Sequence, residues 1–156
     1  MVRRIPRALA RAPIPLFRWG AGRLLGPRLM LLEHRGRTSG LRRYVALEVL
    51  ERGPGVLVLV SGYGPGSQWF RNVRADPAVR VWTGTVEADP AVAEIMPADE
   101  VVERLERYRR TNPHLATALG TTLGIPALTS SEPLPPDIAE TLPLVRVRRR
   151  PERDDG

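Results

Sequence analysis

A chain of 156 residues with 42% hydrophobic and 26% charged positions has the length and composition of one folded domain. It holds no cysteine and no lysine, so disulfides, thiolate nucleophiles, cysteine–metal sites, Schiff-base lysines and the P-loop lysine are all excluded. The net charge of +7 is unevenly placed: residues 1–43 carry eleven arginines and one acid, Glu33, whereas residues 44–156 carry thirteen arginines and sixteen acids, so the basic first quarter calls for an anionic partner.

In chain order, "PIPLFRWGAGRLLG" (13–26) sets Leu16, Phe17, Leu24 and Leu25 among arginines. It predicts a short amphipathic helix, packed on the domain or laid on a membrane surface. No apolar run approaches the ~18 residues of a membrane span, and Arg7, Arg11 and Arg18 interrupt any signal-peptide core. "PRLMLLEHRG" (27–36) reads as a central strand, and the glycines of "RGRTSG" make a tight connection. "LRRYVALEVL" (41–50) alternates as a half-buried strand, "ERGPG" turns the chain, and "VLVLVSG" (56–62) is a buried strand. Short turns between these three strands imply an antiparallel meander.

"SGYGPGS" is a glycine-rich loop, and "QWFRNVRADP" a short helix ending near Asp76-Pro77. "AVRVWTG" and "TVEADPAVAEIM" are two further strands, with Pro90 demanding an edge or a bulge. "PADEVVERLERYRR" (97–110) is the clearest helix. Val101, Leu105 and Tyr108 share one face of it, and Glu100–Arg104, Glu103–Arg107 and Glu106–Arg110 are spaced as i,i+4 pairs. A helix over about 113–123, a proline-rich loop "IPALTSSEPLPP", a last strand at 140–149 and a disordered tail at 151–156 complete the chain. The fold class is therefore α+β: one domain over residues 1–150, a mostly antiparallel barrel of about six strands with two or three flanking helices.

Arg37, Thr38, Ser39 and Gly40 offer a guanidinium, two hydroxyls and turn amides within four residues, a donor set suited to phosphate. Arg42 and Arg43 point to opposite faces of their strand, so one of the two joins that cup. The loop "GYGPGS" lacks G-x-G-x-x-G spacing and follows a meander, which excludes a dinucleotide fold. Its use is close approach of a flat ligand to backbone, with Ser61 as a hydroxyl donor. His34 and His114 read as core or surface residues, and no residues cluster as metal ligands. No serine sits in a G-x-S-x-G elbow, and no aromatics interleave the arginines as nucleic acid would require.

Taken together, "LLEHRGRTSGLRRYVALEVLERGPGVLVLVSGYGPGSQWFRNVRADPAVRV" (31–81) resembles the deazaflavin-dependent nitroreductase family, the split β-barrel oxidoreductases that use coenzyme F420. A strand, G-R-x-[ST]-G, an arginine, an apolar strand ending in serine, a loop and W-[FY]-x-N-[LV]-x-A-[DN]-P occur in the family's order. The resemblance implies that the coenzyme's phosphate and acidic tail lie near Arg37, Thr38, Ser39, Gly40 and Arg43. It places the ring along Val60 and Ser61, with Trp69 and Asn72 closing the site. Ser61 and Tyr63 are the catalytic candidates it leaves, with His114 as a further proton donor to consider. Thr38 stands where members often carry a second basic residue, and residues 113–137 hold no aromatic to cover a substrate.

The implied reaction is reduction of an electron-poor small molecule, such as a quinone, nitroaromatic or activated alkene, by a cytoplasmic monomer or homodimer. Peripheral membrane contact would run through the basic N-terminal helix. Two other readings stay open: the same barrel binding FMN, and a non-catalytic binder of F420 or anionic lipid.

Overall fold

In the computed structural model the alternating segment after Leu41 and the apolar runs on either side of it form strands. The structure describes residues 29–62, 64–83 and 86–149, with backbone alone at 86–88. The helix expected over 13–26 and the tail at 151–156 lie outside the described residues. Six strands, β1 (Leu29–Arg35), β2 (Arg42–Gly53), β3 (Val56–Val60), β4 (Ala78–Thr83), β5 (Val86–Ile95) and β6 (Leu144–Arg149), close into a barrel in the order β1-β2-β3-β6-β5-β4. Every neighbouring pair is antiparallel, and short connections demand this of β1–β2, β2–β3 and β4–β5. Among the described residues, Leu31, Leu32 and Glu33 of β1 pair with Trp82, Val81 and Arg80 of β4.

Alternate residues fill the barrel. Met30, Leu32, Leu47, Val49, Leu57, Leu59, Val81, Val145 and Val147 form one buried cluster. Helix α1 (Gln68–Ala75) inserts Trp69, Phe70 and Val73 into that cluster and so packs against the barrel's contents. The opposite residues of β3, Val58 and Val60, belong to a second core, where they meet Val101, Leu105 and Tyr108 of α2 (Ala98–Thr111) and Leu119 of α3 (Pro113–Leu123). Burial on both faces explains why β3 reads "VLVLV" without a polar position.

Several elements differ from the sequence expectation. The last strand starts at Leu144, not at residue 140, because Ile138–Thr141 form a one-turn helix, α4. Ile138 and Leu142, at helical spacing, are both buried in the second core. The proline-rich loop contains a 3-10 turn at Pro126–Thr129 that buries Leu128. Pro90 is on no edge, since β5 pairs on both sides; the ladder instead shifts register between Val81 and Thr83, and pairing with β6 begins one residue past the proline, at Ala91.

The arginines of α2 also serve a different purpose from intrahelical pairing. Arg104 and Arg107 reach the Glu51 carboxylate on β2 at 2.8 and 3.1 Å. Glu100 pairs with Arg146, a buried side chain of β6 that also contacts Glu94 at 3.2 Å. Charges on α2 therefore fasten it to the barrel. Among the described residues no helix is long and apolar enough to cross a membrane.

Gly120 lets α3 fold closely onto the following turn. Its carbonyl accepts from the Ile125 N–H at 2.8 Å, and a Cβ there would lie 2.8 Å from the Ile125 oxygen and 2.9 Å from Leu128 Cβ. Gly120→Val is expected to destabilise the protein by about 1–3 kcal/mol through this overpacking, read as a lower urea midpoint at unchanged slope.

Candidate functional site

The β1–β2 connection is a compact helical turn. Gly36 N–H donates to the Leu41 oxygen at 2.9 Å and Gly40 N–H to the Gly36 oxygen at 2.8 Å. Gly40 closes the turn at φ 70°, a conformation that side chains disfavour. The backbone N–H groups of Thr38 and Ser39 have no acceptor among the described residues, whereas Ser39 Oγ accepts from Leu41 N–H at 3.2 Å. Successive unclaimed amides in such a turn form a concave anion seat.

Asn72 ties this turn to α1. Its Oδ1 accepts from the Arg37 backbone N–H at 3.1 Å and from Arg37 Nη1 at 2.8 Å, and its Nδ2 lies 3.0 Å from His34 Nδ1. The two Arg37 donors fix which end of the amide is oxygen. Nδ2 must then donate, Nδ1 must accept, and the imidazole proton resides on Nε2. His34 and Asn72 are both buried. Burial, and secondarily the positive charge of Arg43, lower the His34 pKa from 6.5 to about 4, so the ring is neutral at pH 7.

Arg37 Nη1 donates as well to Gln68 Oε1 at 3.0 Å, which leaves its other guanidinium nitrogens without partners among the described residues. Arg43 pairs in register with His34 and so shares its inward face, with an exposed side chain at the barrel mouth. Arg42 lies on the outer face, 3.6 Å from the Glu33 carboxylate. Arg71, exposed on α1 one turn beyond Gln68, adds positive charge near the same end. Arg37, Thr38, Ser39, Gly40 and Arg43 are thus brought together, and Asn72 joins them from beneath.

Val60, Ser61 and Trp69, expected around a flat ring, are all buried. Ser61 is fully buried; its hydroxyl donates to the Gly64 oxygen at 2.7 Å and meets Ser67 Oγ at 3.0 Å, pinning the loop that leads into α1. Val60 turns its side chain into the second core, and Trp69 packs into the barrel against Phe70, ring centroids 6.1 Å apart. Tyr63 lies outside the described residues. His114 is exposed on α3, a helix whose buried apolar side chains belong to the second core. Two shallow clefts, of about 470 and 450 Å³, flank α2 and touch none of these residues. No group of His, Asp or Glu among the described residues could hold a metal ion.

Sequence reading missed His34 and Gln68 as members of this cluster. Inward alternation after Met30 and Leu32 signals the first, and the i,i+4 spacing of Gln68 and Asn72 the second.

A family model described as F420H(2)-dependent quinone reductase matches residues 19–130. No curated protein matches the sequence. Among solved structures, an F420-H2 dependent reductase, FDR-A, is 22% identical with a TM-score of 0.50, the match covering 78% of this chain and 94% of that one. A domain-swapped dimer is 21% identical with a TM-score of 0.54, covering 91% and 98%. HutZ, the heme storage protein from Vibrio cholerae, is 12% identical with a TM-score of 0.51, covering 91% of each chain. At such identities these structures share the fold.

The His34 shift sets a pH dependence. The unfolded chain takes up this proton near pH 6.5 and the folded one only near 4, so the contribution of neutral His34 is complete above 6.5 and is lost as pH falls toward 4. Thermal unfolding midpoints are expected to drop across that window, and His34→Asn, which does not titrate there, is expected to flatten this limb.

Proposed function

The chain belongs to the F420H(2)-dependent quinone reductase family, and from that premise we propose that the turn at Arg37–Gly40, with Arg43, holds the anionic end of coenzyme F420. As a member it is an oxidoreductase of α+β split-barrel fold whose reductant is F420. The observation that carries the finer reading is the donor set at one barrel mouth. Unclaimed amides at Thr38 and Ser39, free guanidinium nitrogens on Arg37, and the exposed charges of Arg43 and Arg71 converge without a carboxylate among the described residues to neutralise them.

A phosphodiester with trailing carboxylates fits this chemistry: planar guanidinium forks and turn amides match its oxygens, and the charge stays fixed because arginine does not titrate near neutrality. Arg37 arrives oriented, since Asn72 and Gln68 hold Nη1, so little side-chain freedom remains to be lost on binding. Gln68 also begins α1, which puts the loop at 61–67 beside the turn. We assign that loop to the deazaflavin ring. The described residues there would offer it backbone and glycine, because the Ser61 hydroxyl is committed to Gly64 and Ser67.

When bound, reduced F420 supplies a hydride to an electron-poor acceptor. The acceptor we propose is a quinone or a similarly electron-poor small molecule. The protein's own part is to bind, to orient and to keep the loop in one shape.

Quenching of F420 fluorescence tests the reading. Arg37→Ala and Arg43→Ala are each expected to weaken F420 affinity at least tenfold, the loss of one charge-assisted contact of about 1.5–3 kcal/mol. Added salt is expected to weaken wild-type binding, and FMN to bind more weakly than F420. Unchanged affinity in both variants overturns the cradle. Turnover of menadione with reduced F420, absent in a mere binder, tests the acceptor.

A further inference from the structure

The cradle leaves one buried polar group without a task, the imidazole of His34. It is 4% exposed on the inward face of β1 and contacts Asn72, not the amides of the turn. Its one hydrogen-bond partner among the described residues is the Asn72 amide. That amide is two-faced. Oδ1 receives both Arg37 donors, and Nδ2 needs an acceptor of its own, which His34 Nδ1 provides at 3.0 Å.

Without that acceptor, Nδ2 would be a buried donor with nothing to satisfy it. The amide would relieve the penalty by rotating toward water or another carbonyl, and rotation withdraws Oδ1 from the guanidinium. Turned over completely, the amide would set N–H groups against the Arg37 N–H groups, donor against donor.

We propose that His34 is a positioning residue for F420 binding: by accepting from Asn72 Nδ2 it keeps Oδ1 facing Arg37 and so holds the guanidinium at the cradle. This rests on the assignment of the turn as the anion seat. The neutral, Nε2-protonated ring is the only state that performs it, and burial beside Arg43 maintains that state.

F420 affinity measured for five proteins tests the chain of contacts. His34→Leu, which offers no acceptor, is expected to raise Kd about fivefold, and His34→Asn, whose Oδ1 stands near the position of Nδ1, to recover most of the loss. The double variant His34→Leu/Arg37→Ala is expected to bind no more weakly than Arg37→Ala alone, because His34 acts through Arg37. Additive losses, or wild-type affinity in His34→Leu, overturn the positioning role. If Arg37→Ala weakens binding and His34→Leu does not, the cradle stands and only this role falls; if Arg37→Ala binds as wild type does, both fall. Nitrogen NMR of the wild-type imidazole gives a reading that no folding defect can obscure. A pyridine-like Nδ1 with the proton on Nε2 at neutral pH is expected, and a proton on Nδ1 overturns the proposal.

Discussion

One carboxamide joins the two halves of the barrel mouth. Asn72, on the helix that plugs the barrel, spends its oxygen on the β1–β2 turn and its nitrogen on the wall beneath. A buried amide has up to four hydrogen-bonding positions, and three contacts here come from segments more than thirty residues away in sequence. Turn, helix and strand are therefore held in mutual register by a group too small to adapt. The shape of the cationic mouth follows from this constraint, because Arg37 is anchored by both backbone and side chain to the same oxygen.

The arginines divide by their surroundings. Those facing the helical layer, Arg104, Arg107 and Arg146, meet carboxylates and fasten α2 to the strands. Arg37, Arg43 and Arg71 meet none among the described residues. Such uneven neutralisation matters more than net charge. A field is focused where like charges gather over a low-dielectric core, and that is the end at which the glycine-bounded turn opens. Family membership supplies the polyanionic coenzyme that such a field suits.

Much of this is legible in the sequence. The meander β1–β3 was written in alternation and glycine turns, and α2 in its acidic first turn and apolar stripe. The closing strand starts at Leu144 and not at residue 140 because a one-turn helix over Ile138–Thr141 precedes it, and Leu142, apolar as a strand residue would be, is buried in the second core after it. Ser61 and Val60 were legible as a strand end but not in their contacts. Which face of a doubly buried strand meets which core depends on barrel closure, a long-range event that local pattern does not encode. The same limit hid Glu51: its partners lie over fifty residues away, whereas spacing alone suggested neighbours on the helix.

Barrel closure itself is unequal around the circumference. Among the described residues, seven pairs lace β1 to β2 and three lace β1 to β4. A cylinder held this way has a preferred line of breathing, and local opening costs least where fewest ladder bonds must break. That line runs along the strand bearing His34. Of the amide protons at Leu31–Glu33, those that face β4 can thus exchange through a fluctuation that leaves the ladder to β2 intact.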